Sequence, residues 1–183
     1  MKNNKFVFQI VTAGLIAALY AVLTYVSSLM GLAYGEVQFR ISEALTILPV
    51  FTPAAIPGLT IGCFLGNLGS PFGMVDVICG TIATLIAALF SYAVRKVEWK
   101  RLPVLAPLGP VLSNAIIVGL EIAWFMPEGF TWAGFLAAAV SVGLGELVIC
   151  YLLGLPLAVF LHKSGLGAKL WPWGSDSKQQ DVN

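Results

Sequence analysis

Charged side chains make up only 10% of the 183 residues, against about 25% in soluble domains. That scarcity excludes an ordinary water-soluble fold. The formal net charge of +1, with no basic stripe, excludes a nucleic-acid partner. The single histidine, His162, stands beside Lys163 at the end of an apolar block and reads as an interfacial residue. No H-E-x-x-H, G-x-S-x-G or Walker A pattern occurs, so no metal, acyl-transfer or nucleotide chemistry is visible. The chain reads as a non-enzyme, with no cofactor or metal implied. Any uphill transport must draw its energy from a partner or an ion gradient. Cys63, Cys79 and Cys150 form no C-x-x-C pair, and each lies in an apolar stretch, as buried thiols do. Internal repeats and a second domain are also missing.

What remains is grease. Hydrophobic residues reach 58% and the mean hydropathy is +0.90. The block FVFQIVTAGLIAALYAVLTYVSSLMGLA (6–33) alone exceeds the roughly 20 apolar residues that a bilayer span needs. It is too long for a secretory leader and lacks a cleavage signal, so it reads as a first span. Pro and Gly clusters divide the rest, and the expected fold is an all-α bundle of six transmembrane helices over 1–170. The spans are expected at about 6–29, 43–52, 54–67, 74–94, 103–125 and 133–161, with a polar cytoplasmic tail at 171–183. The second and third are too short for straight crossings and read as short or broken helices packed within protein. Lys2 and Lys5, then Arg95, Lys96, Lys100 and Arg101, then Lys163, Lys169 and Lys178 all fall on one side if each segment crosses once. Cationic loops stay cytoplasmic, so both termini are expected inside a cell membrane.

One cation breaks the pattern. Arg40 sits on the opposite side, between Glu36 and Glu43, at the start of an apolar run. At 1.5 Å per residue, Glu121 lies roughly 6 Å below the outer end of its span, Asn114 roughly 16 Å, and Glu146 roughly 20 Å below the start of the last one. Glu121 and Asn114 are seven apart and share a helix face. With Glu43, Asn67 and Asp76 they concentrate polarity in the outer half. Ionisable groups at such depth face an interior or a cavity, and the arrangement suggests a pocket that opens outward. Structural ion pairs of Arg40 with Glu43 or Asp76 are the plainer alternative. Glu146, deep in its helix without a cation in view, favours a functional role. On the first span, Ala13, Ala17 and Ala21 recur every fourth residue beside Gly14 and Ala18. Such a small-residue row lets another helix approach closely. It reads as a docking surface or as internal packing.

The stretch GEVQFRISEALTILPVFTPAAIPGLTIGCFLGNL (35–68) closely resembles the signature of the QueT family. These are substrate-binding S components of energy-coupling factor transporters, associated with uptake of queuosine precursors. The resemblance extends over most of the chain. It implies a six-helix S-component bundle with cytoplasmic termini and an outward pocket that the first connector covers. It implies as partners a transmembrane coupling subunit and two ATPase subunits, with docking through the Ala13/Ala17/Ala21 row. The implied cargo is a 7-deazaguanine: queuine, or its cyano or aminomethyl precursor. On such a ligand Glu146 or Glu121 would read the guanine-like edge, with Asn114 and Asn67 supplying amide contacts. Arg40 or Gln38 would face the carbonyl, and Trp124, Phe72 or Trp132 would stack on the ring. Glu43 and Asp76 complete the expected site. An S component for another vitamin or purine, or a solitary ion-coupled carrier, is the competing reading.

Overall fold

The computed structural model describes residues 2–33, 38–99 and 102–170. Glu36, Lys100, Arg101 and the expected tail 171–183 lie outside the described residues. Among those described, the chain is helical and forms no strand, apart from an isolated bridge between Trp99 and Leu102. Helix α1 spans Lys2–Leu29 and a 3-10 segment Ile41–Val50. Helices α2 (Ala55–Asn67), α3 (Met74–Ala93), α4 (Leu108–Trp124) and α5 (Trp132–Ile149) follow. A single π turn, Cys150–Gly154, joins α5 to α6 (Leu155–Lys163), and a short α7 (Leu166–Leu170) ends the described chain.

Three stretches are long and apolar enough to cross a membrane: Asn4–Leu29, Met74–Ala93 and Trp132–Lys163. The other apolar helices are shorter, and two depart from the sequence expectation. The fifth expected span begins at Leu108 rather than at residue 103, because Pro103 and Pro107 hold the approach in turns. The second is not an α-helix. Over Ile41–Val50 the backbone runs as a 3-10 helix, with Pro49 inside it and Thr46 Oγ1 donating to Glu43 O at 2.6 Å. Runs of this kind seldom exceed four residues and mark strained or functional stretches. At roughly 2.0 Å rise per residue the segment reaches further than an α-helix of equal length. Ser42 through Pro49 are all buried, and the segment packs against α1, α2, α3, α5, the π turn and α6. It is the axis of the bundle. The widened turn at Cys150–Gly154 lies just ahead of Pro156, whose missing N–H breaks the regular ladder there.

Around that axis the outer helices meet through small residues. Gly58, Gly62 and Gly66 form one stripe of α2. A Cβ added at Gly62 would lie 2.8 Å from Ala17 O, and one at Gly58 would lie 2.8 Å from Ala13 O. The small row of α1 is therefore occupied in part by α2: Ala17 and Ala21 are buried, while Gly14 and Ala18 stay exposed. With apolar lipid on the outside, close van der Waals contact is what draws such helices together. The exposed surface is correspondingly rich in Val, Ile and Leu, such as Leu15, Ile78 and Leu136.

Replacing Gly62 by Ala should cost about 1–3 kcal/mol, because the added methyl meets backbone that cannot yield. Gly14→Ala, whose methyl meets nothing within 4 Å, should be neutral or slightly stabilising. Thermal melting of both variants in detergent checks the pair, and equal melting temperatures would contradict the close-contact account.

Candidate functional site

The connector after α1 delivers Arg40 to the end of the bundle where α2 stops and α3 starts. Leu32 O accepts from Phe39 N at 2.9 Å, which folds the connector back on itself. Ser27 Oγ accepts from Ile41 N at 3.0 Å and pins the start of the 3-10 segment. Gln38 is buried, and its carbonyl lies where a Cβ on Gly145 of α5 would stand. Only glycine at 145 lets the connector lie so close, one residue before Glu146.

Arg40 is 3% exposed. Its Nε donates to Ala33 O at 3.1 Å and its Nη1 to Asn67 Oδ1 at 3.3 Å. Its Nη2 stands 3.5 Å from Asp76 Oδ1. Asn67 in turn donates from Nδ2 to the backbone of Asp76 at 3.1 Å, in the space that Gly80 leaves open. One guanidinium thus ties the connector, the end of α2 and the start of α3. Burial alone would lower its pKa, but neighbouring carboxylates, led by Asp76, hold it above the ordinary arginine value.

A second group lies deeper. Tyr20 of α1, fully buried, donates its hydroxyl to Glu43 Oε1. Next to it Thr24 Oγ1 donates to Ser42 Oγ at 2.8 Å. Cys150 Sγ stands 3.5 Å from Glu146 Oε2 and 3.7 Å from Glu43 O, joining the π turn to the 3-10 segment. Asn114 of α4 lies close to both carboxyl groups. Even so, Asn114 Nδ2 and Glu43 Oε2 are buried with no well-formed hydrogen bond among the described residues. Buried polar atoms without partners are few in native proteins and each calls for an explanation.

The sequence expectations divide cleanly on this geometry. Arg40, Asn67 and Asp76 come together, as do Glu43, Asn114 and Glu146, and Gln38 lies beside the second group. Glu121 is 5% exposed, and neither of its carboxylate oxygens has a hydrogen-bond partner among the described residues. It feels Asp76 and Arg40 through space but faces a groove between α3 and α4. The aromatic candidates do not enter the buried cluster. Trp124 and Trp132 are each 72% exposed. They belong to a chain of ring contacts running Trp124–Phe130–Trp132–Phe135 around the α4–α5 turn. Phe72 pairs with Phe125, ring centres 6.1 Å apart. Aromatic rings in such positions suit a membrane interface. The ring that does enter the cluster is Tyr20. Its signal was a hydroxyl-bearing ring amid small residues in the first span, next to Ala21 of the four-residue row. Cys150 was masked by its apolar neighbours.

Arg40→Met should destabilise the fold by about 3–5 kcal/mol, since it strands a buried carboxylate. Adding Asp76→Asn to that variant should recover at least half of the loss. A double-mutant cycle on detergent unfolding reads this directly, and strict additivity would remove Arg40–Asp76 as a structural tie.

The comparisons with known proteins agree on one family. The family model described as "QueT transporter" matches residues 10–163. A protein of Lactococcus lactis subsp. cremoris (strain MG1363) named "Queuosine precursor transporter QueT" is 43% identical over 86 residues, covering 47% of this chain and 50% of that one. The chain matches about half the length of that relative. No solved structure matches.

Proposed function

Because the chain belongs to the QueT transporter family, we propose that it is the membrane-embedded, substrate-binding subunit of an importer for a queuosine precursor, a 7-deazaguanine base. The observation that carries this reading is the buried cluster Glu43–Asn114–Glu146, in which Glu43 Oε2 and Asn114 Nδ2 make no well-formed hydrogen bond among the described residues. A guanine-like edge presents an N–H and an NH₂ side by side, and a carboxylate accepts both in parallel. Its carbonyl needs a donor, which the Asn114 amide supplies. Glu146 takes the edge-reading role, and Glu43, held by Tyr20, is the second acceptor. Gln38 closes the cluster from the connector side. Arg40, Asn67 and Asp76 hold the connector in place above it, as a lid.

The name of the L. lactis relative supports this choice of cargo. In the same reading the chain crosses the membrane six times with both termini cytoplasmic, and the pocket opens outward. Its partners are a transmembrane coupling subunit and two ATPase subunits, because the chain itself carries no nucleotide-binding motif. Gly14 and Ala18, the exposed members of the small row on α1, are the positions left to meet the coupling subunit. A solitary ion-coupled carrier would use the same carboxylates as ion sites. Uptake that persists without any ATPase partner would favour it.

Purified protein in detergent should bind queuine or its cyano or aminomethyl precursor, while riboflavin, which lacks the guanine-like edge, should bind far more weakly. Glu146→Gln replaces an acceptor by a donor facing N–H groups. It should weaken binding by roughly tenfold to a hundredfold, from the loss of a charge-assisted pair. Titration calorimetry reads both. Binding that survives the substitution would move the site elsewhere in the chain, and no binding of any precursor would sink the cargo.

A further inference from the structure

Outside the buried cluster, the seam between α3 and α4 carries the strongest unexplained feature. Two grooves run along it and share Ile117. One, of about 490 Å³, is lined by Cys79, Leu120 and Trp124, with Glu121 as its only ionisable carboxylate. The other, of about 290 Å³, continues the seam toward the opposite end past Ile86, Phe90 and Leu112. From Gly109 to Glu121 helix α4 rises roughly 18 Å. That is close to the depth of one hydrocarbon leaflet, roughly 15 Å or half the bilayer core.

We propose that this seam is a phospholipid site selective for a primary ammonium headgroup, with the ammonium on Glu121 and an acyl chain along Ile117 toward Phe90. The seam is apolar along its length, and Ser113 is its one neutral polar side chain. A single acyl chain suits such a surface. Glu121 breaks the apolar pattern at one end. A carboxylate enclosed by protein on one side and by lipid on the other is costly unless a cation meets it. Arg40, the cation that acts on it through space, is engaged by Asp76, Asn67 and Ala33 O. Among the described residues no other cation acts on it, and the complement assigned here comes from outside the chain. It must be cationic, able to donate hydrogen bonds, and attached to a hydrocarbon tail. A phospholipid ending in a primary ammonium has these properties. Trp124 at the mouth of the groove places this end at the headgroup level. An anionic glycerol headgroup would be repelled by Glu121. A quaternary ammonium would bring charge without an N–H to donate.

The test is native mass spectrometry of the full chain, delipidated and then offered phosphatidylethanolamine, phosphatidylglycerol or phosphatidylcholine with the same acyl chains. Phosphatidylethanolamine should be retained roughly tenfold or more over the other two, and Glu121→Gln should abolish the preference. Equal retention of all three lipids, or a preference that survives the substitution, overturns the proposal. A seam filled by a second copy, seen as a dimer that excludes lipid, overturns it as well. Ile117→Trp provides an independent arm should Glu121→Gln fail to fold. The indole fills the junction of the two grooves, so retention of phosphatidylethanolamine should fall to the level of the other lipids. Retention unchanged by that variant also counts against the site.

Discussion

A guanidinium buried at the end of an apolar bundle organises this molecule. Arg40 is buried, so the chain must bring partners, and the partners come from three segments. Ala33 O belongs to the connector, Asn67 ends α2, and Asp76 opens α3. Each is separately expensive to bury; together they offset part of that cost, Asn67 through its amide and Asp76 through its charge rather than a hydrogen bond. The consequence is geometric. The connector is held against the bundle, and the residues that follow Arg40 enter the interior at a fixed point and angle. Glu43 reaches Tyr20 because Arg40 has fixed the start of the segment three residues earlier.

The 3-10 segment then carries polarity inward where a regular α-helix would have spent its length sooner. Its neighbours lie on nearly every side, so none of its faces is free to be lipid-like. This accounts for a sequence, ISEALTILPV, in which polar and apolar residues mix without a helical stripe. The outer helices tolerate that core because they approach one another through glycine and alanine. Gly145 extends the same device to the connector, placing backbone beside Glu146. Close packing and polar burial are thus one design here.

Much of this was legible in the residues. Composition and block lengths gave an all-helical membrane chain, because hydrocarbon forces backbone to satisfy itself within each segment. The isolated position of Arg40 among the cationic clusters marks the polar end. The family followed from the stretch that contains it. The pairings were harder. Whether Arg40 met Glu43 or Asp76 depended on how far the connector folds back, and that rests on backbone bonds such as Phe39 N to Leu32 O. Trp124 and Trp132 were natural stacking candidates, since sequence does not tell an interfacial ring from a pocket ring on a short helix. Tyr20 was hidden by the same ambiguity in reverse. The small row on α1 had two readings, and its partner stripe on α2 was spaced for one of them: Gly58, Gly62 and Gly66 repeat with the same period as Ala13, Ala17 and Ala21.

The distribution of buried charge sets a final constraint on how the molecule works. Arg40 is the buried cation in the described core, and four carboxyl groups are buried with it: Glu43, Asp76, Glu121 and Glu146. Asp76 is neutralised directly and Glu43 is held by a tyrosine hydroxyl. Glu146 lies beside the Cys150 thiol and the Asn114 amide. An interior with more acceptors than donors favours any guest rich in N–H groups, and disfavours one that brings further acceptors. That asymmetry belongs to the chain as folded.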